Sequence, residues 1–168
     1  MGSYGKSDYK VIRVTPTLDT SQYAALDVLF NSVAIPDAVR GNGGCSKLVG
    51  MYLLNQNTDI IDIEFIFSEN SLTLGTINAT ANISDADLEA GIITGAMKLD
   101  GSETKVSGID NAYVYNVINN SATEGFATPM LLQAASGSTS VYVAGIIGAG
   151  TPTLAADDID LIFHIEYR

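Results

Sequence analysis

Hydrophobic side chains recur at every second residue from Asp160 to Tyr167. Leu161, Phe163, Ile165 and Tyr167 fall on one face, and Asp160, Ile162, His164 and Glu166 on the other. That is the period of a half-buried β-strand. The same alternation runs through Asp59 to Phe67, where Ile61, Ile63, Phe65 and Phe67 oppose Asp62, Glu64, Ile66 and Ser68. Further strands are predicted over Tyr9–Thr15, Asp27–Asn31, Lys47–Leu54, Ile92–Leu99, Thr104–Ile109, Tyr113–Ile118, Met130–Ala134 and Ser138–Ile147, with turn chemistry such as Asp100-Gly101 and Ser136-Gly137 between them. Lys47–Leu54 and Asp59–Phe67, joined by a short polar turn, are expected to pair as a β-hairpin.

One segment reads as helical. Ser84 is placed to cap it, Asp85, Asp87 and Glu89 crowd its first turns, and Gly91 stands where a C-terminal cap is expected. Many short strands, one short helix and no repeating period imply an all-β, single-domain β-sandwich, jelly-roll-like, over residues 11–168. Residues 1–10 are expected to form a flexible N-terminal arm.

Groups that carry chemistry are scarce. The chain has one histidine, His164, one cysteine, Cys45, and no tryptophan, so the usual acid/base, nucleophilic and transition-metal sets are incomplete. Cys45 is expected to be a buried or half-buried thiol behind Gly43-Gly44, and His164 a passenger on the polar face of its strand. The carboxylate pairs Asp62/Glu64 and Asp158/Asp160 fit a solvated sheet face better than a glycosidase cleft. Asp85, Asp87 and Glu89 lack the spacing and glycine of a calcium loop. Gly145-Ile146-Ile147-Gly148-Ala149-Gly150 lacks the lysine and following helix of a phosphate loop, and reads as a tight turn with close backbone packing. No catalytic, cofactor or metal site is expected. No apolar run reaches the roughly 18 to 20 residues of a membrane span, and no signal peptide is expected at the start.

Charge is uneven in a chain of net −11. Residues 1–47 hold five cations against four acids, whereas residues 48–168 hold three cations against fifteen. Such an acidic body repels phosphate backbones, so neither nucleic acid nor membrane is an expected partner. The N-terminal section is the expected docking surface, through Tyr4, Lys6, Tyr9, Lys10 and Arg13. The tyrosines, eight against five phenylalanines, suit half-wet subunit contacts.

The run Val11-Ile-Arg-Val-Thr-Pro-Thr-Leu-Asp-Thr20, with Tyr23-Ala-Ala, Asp27-Val-Leu-Phe30, Ile35-Pro36, Ala38-Val-Arg40 and Gly43-Gly44, resembles small virion structural proteins of tailed bacteriophages. The similarity continues through Leu74-Gly-Thr76, Asn82-Ile-Ser-Asp-Ala-Asp87, Ala134-Ala-Ser136 and Ser138-Thr-Ser-Val-Tyr-Val-Ala-Gly145. Lys105 to Glu124 departs from it, being longer and richer in Asn and Tyr. The resemblance implies a capsid decoration or cement protein on the outer surface of a phage head, without enzymatic activity. Its partner would be the major capsid protein, and it would assemble as a homotrimer. A head-fibre or tail part, a glycan-binding jelly roll, and a glycan hydrolase acting through Asp62, Glu64, Asp158 or Asp160 are the other readings.

Overall fold

A computed structural model describes residues 8–102, 105–106, 111–117 and 129–167. Ten strands and one helix follow in the order β1 (Tyr9–Val14), β2 (Val28–Ile35), β3 (Cys45–Asn55), β4 (Asp62–Ser68), α1 (Asp85–Gly91), β5 (Ile93–Leu99), β6 (Lys105–Val106), β7 (Tyr113–Asn116), β8 (Met130–Gln133), β9 (Val141–Ala149) and β10 (Ile159–Tyr167). The first sheet runs β1-β10-β3-β7-β6, with β8 also pairing β3, and the second runs β2-β9-β4-β5. All pairings between these strands are antiparallel. Strands β1 to β4 alternate between the sheets. The last two strands then insert, β9 between β2 and β4 and β10 between β1 and β3, which is the interleaved double Greek key of a jelly roll.

The inner faces interdigitate as the alternation requires. Leu48, Met51, Leu53, Leu161, Phe163 and Ile165 meet Phe30, Ile63, Phe65, Phe67, Val143 and Ile147 in one core. Phe67 and Phe163 cross it edge to face, with centroids 6.3 Å apart. A smaller cluster lies on the other side of the second sheet. There Leu72 and Leu74 pack on Val28 and Ala144, with Ile66, Ile77, Ile83 and Ile146 around them. The Leu72 N–H donates to Ser32 Oγ at 2.8 Å and the Leu74 N–H to Asn31 Oδ1 at 2.7 Å. The connection from β4 to α1 is thereby tied to β2, and it covers the outer face of the second sheet.

Several expectations need correction. β3 and β4 do not form a hairpin, because each has its two edges occupied by other strands and they lie in opposite sheets. Their linker is organised by its own amides: the Asn57 N–H donates to Asn55 Oδ1, and the Asp59 N–H to Asn57 Oδ1. It is also pinned to the β9–β10 connection, through Gln56 N–H to the Asp158 carbonyl and Thr153 N–H to Asp59 Oδ2. These bonds satisfy the turn while the chain crosses between layers. Ser84 caps α1 as expected, but the left-handed residue at its end is Ile92, with φ 53°, and not Gly91. Gly91 serves space: a Cβ there would lie 2.1 Å from Leu72 Cδ2. Gly145 and Gly148 lie within β9, and only Gly150, with φ 95°, takes a turn conformation in that run.

Cys45 is exposed. The inward position falls to the next residue, where the Ser46 hydroxyl donates to the Ala38 carbonyl at 2.6 Å. Asp160 keeps its outward phase but is only 1% exposed, because Arg13 and Thr15 both donate to its carboxylate and lie across it.

The Tyr115 hydroxyl is buried with no hydrogen-bond partner among the described residues. Burial, only partly offset by the neighbouring Asn55 amide, pushes its phenol up to about 12. An unpaired buried hydroxyl stabilises nothing, so Tyr115→Phe is expected to leave unfolding stability unchanged or to raise it by up to about 1 kcal/mol. A loss above that in urea denaturation would show that the hydroxyl has a partner.

Candidate interaction surface

The outer face of the first sheet is built from residues one out of phase with the core. Register places Tyr9, Val11 and Arg13 of β1 beside Glu166, His164 and Ile162 of β10. These in turn adjoin Lys47, Gly50 and Tyr52 of β3, and Leu54 and Lys47 adjoin Val114 of β7 and Leu131 of β8. The β3–β10 register shifts between His164 and Ile165, leaving Val49 unmatched as a bulge on β3. Gly50, next to it, has no side chain, and the His164 ring leans over it onto Tyr52 with centroids 5.1 Å apart.

Three of the largest exposed apolar groups of the chain stand on this face: Tyr9 at 66%, Val11 at 62% and Leu131 at 51%. Half-buried Tyr52, Leu54, Val114 and Ile162 fill the area between the edges. The matching face of the second sheet lies under Leu72, Leu74 and Ile83. Among the described residues the two sheets therefore differ: one is covered by its own chain, and the other presents aromatic and aliphatic groups outward.

Of the residues expected to dock, Tyr4 and Lys6 lie outside the described residues. Tyr9, Lys10 and Arg13 belong to β1, so the sheet begins within the segment expected to be an arm. Tyr9 is on the outer face. Lys10 points toward the other sheet and bonds Asp37 at 3.0 Å. That carboxylate holds the Lys10 ammonium above its usual range and is itself held below its own. Arg13 bonds Asp160, whose carboxyl is kept below the usual carboxylate range by that contact, with Thr15 adding to it. Arg40 pairs with Asp8 and lies 5.1 Å from the Tyr167 ring centroid. Lys47 faces Glu166 at 3.8 Å, and Lys98 faces Glu64 at 2.9 Å. All five of these cations have an acidic partner within the chain, and the outer face is locally neutral.

The carboxylates weighed for hydrolysis are spread over different elements. Asp62 and Glu64 belong to β4 of the second sheet, Asp160 to β10 of the first, and Asp158 to the connection just before β10. Asp62 accepts from the Gly101 N–H at 2.9 Å, and Asp158 from the Ala155 N–H at 2.6 Å. Asp87 joins the cap of α1 through Ser84. Among the described residues no three of His, Cys, Asp and Glu gather as a metal-ligating group. The sequence matches no protein-family model and no curated protein.

Proposed function

We propose that this chain is a virion structural protein of the capsid decoration or cement type, docking on the outer surface of a phage head and bridging major capsid subunits. The supporting observation is the unequal covering of the two sheets. A neutral, aromatic and aliphatic sheet face on a chain of net −11 is where an acidic protein meets a partner with least electrostatic cost. Jelly-roll topology and the sequence resemblance point the same way. Several such contacts, each modest, hold firmly when one protein spans neighbouring subunits. Because Lys10, Arg13 and Lys47 are already paired, attachment is expected to be apolar in character and to survive salt.

Purified protein added to heads lacking it is expected to bind them at low salt and at about 0.5 M salt alike. Tyr52→Ala combined with Leu131→Lys should reduce occupancy at least about tenfold, with the melting temperature checking the fold. Copies per head, counted in a particle map, decide the matter. Undiminished occupancy of the double variant, or density on the tail alone, would refute this reading. A truncation aimed at the arm has to stop at Ser7, because the Asp8 carbonyl accepts from the Tyr167 N–H and Tyr9 begins β1.

A further inference from the structure

We propose that the free edge of β1 pairs antiparallel with β1 of a second copy of this chain, about a two-fold axis through Val11. β1 ends the first sheet, and among the described residues only β10 pairs with it. The Tyr167 N–H donates to the Asp8 carbonyl at 2.9 Å, and the next residues, Tyr9 and Glu166, stand opposite one another. In an antiparallel ladder the bonded pairs alternate, so Lys10, Ile12 and Val14 bond to β10 while the N–H and C=O groups of Tyr9, Val11 and Arg13 point outward. The register on β10 is unbroken, and no proline interrupts Tyr9–Val14. Charged side chains commonly keep such edges from pairing, but here Lys10 and Arg13 are folded onto Asp37 and Asp160.

The strand is complementary to itself. With Val11 on the axis, Val11 faces its own copy and Tyr9 faces Arg13 in both directions. All three outward residues then fall in bonded pairs, each exchanging two N–H···O bonds. Lys10 stands opposite Ile12, so no like charges meet, and the guanidinium of Arg13 lies beside an aromatic ring. A basic partner would instead favour the acidic remainder of the chain, with its fifteen acids against three cations over residues 48–168. An isologous edge closes a dimer and not a trimer, so this contact departs from the three-fold assembly that the resemblance implies. It is independent of capsid docking, because it is read on the protein alone.

Sedimentation equilibrium of the full chain is expected to show a monomer–dimer system. Val11→Pro removes an outward N–H without touching the β10 ladder, so it should raise the dimer dissociation constant at least about tenfold. Melting of the dilute monomer should be unchanged. In the unmodified protein, exchange of the Tyr9, Val11 and Arg13 amides should accelerate on dilution while that of Ile12 does not, a measurement that holds even if the proline variant fails to fold. A wild type that is monomeric or trimeric throughout, a proline variant that dimerises as before, or edge amides indifferent to concentration would each overturn the pairing.

Discussion

Gly145→Ala is expected to destabilise the sandwich by about 3 kcal/mol, the upper end of what overpacking costs. Gly145 sits mid-strand in β9, opposite Phe30 of β2 on one side and Phe65 of β4 on the other. A Cβ built there would stand 2.6 Å from Phe30 Cε1 and 2.7 Å from Cζ, well inside the contact distance of two carbons. Phe30 is 1% exposed and hemmed in by the main core, so its ring has nowhere to swing. The backbones of β2 and β9 have to part instead, straining the ladder at the centre of the second sheet. Phe30→Leu removes the offending ring atoms, at a cost of its own. The double variant should therefore lose less stability than the two singles summed, by at least about 1 kcal/mol in urea unfolding. Simple additivity would mean that the ring contact is not what requires glycine.

Strands were legible wherever one face meets the core and the other does not. β10 from Leu161 to Glu166 and β4 from Asp62 to Phe67 follow their alternation residue by residue, and Ser84 marks the start of α1 from its own chemistry. Partner choice between strands was not legible. The Asn55 to Asp59 turn suits a hairpin or a crossover equally, and the bond from Asn57 to Asp158, 101 residues away, belongs to the crossover. Distance in sequence also hid the state of Asp160, whose partner Arg13 is 147 residues off. Glycine was ambiguous for a different reason: Gly91 and Gly145 are there for want of space, and a turn and a close contact call for the same residue.

The candidate surface was half legible. Tyr9, Lys10 and Arg13 lie in β1, at the edge of that sheet, but reading Lys10 and Arg13 as charge overlooked the acids that neutralise them. Tyr52, Leu54, Ile162 and Leu131 were passed over because an outward apolar residue looks like core. The signal was present in β3, where Leu48 to Leu54 is apolar in both phases apart from Gly50. Such two-sided runs mark strands covered on both faces. In the second sheet Ile66, Ala144 and Ile146 show the same excess, and residues 72–83 of the chain itself account for it. In the first sheet no described segment does so, and that difference is what the proposed docking rests on.

Arg13→Ala is expected to lower the melting temperature at pH 7 by more than Asp160→Asn, although the arginine side chain is 61% exposed and the aspartate 1%. Removing Arg13 takes away the charged partner and part of the cover over Asp160, leaving an ionised carboxylate with only the Thr15 hydroxyl as donor, and a charge stripped of its partner is the costly remnant of a broken pair. Asp160→Asn leaves a guanidinium that water can solvate and an amide that still accepts from Thr15, a loss of about 1–3 kcal/mol for the charge-assisted bonds. Both deficits also depend on pH. In the native chain Arg13 depresses the Asp160 carboxyl below its unfolded value of about 3.9. The stability it contributes is therefore complete above that value and is lost as pH falls through the folded one. Without Arg13 the largest cause of the depression is gone and only the Thr15 bond is left to oppose desolvation, so most of the depression is lost. The deficits of Arg13→Ala and Asp160→Asn are then both largest at neutral pH, and both shrink as pH falls below the unfolded value toward the native one. Melting curves from about pH 7 to about pH 3 check this, and a deficit of Arg13→Ala that ignores pH would exclude the carboxylate as its cause. Arg13 and Thr15 both lie at the end of β1, so this contact also locks the edge strand to β10, and its loss should speed exchange of the Ile12 and Val14 amides before the rest of the sheet opens.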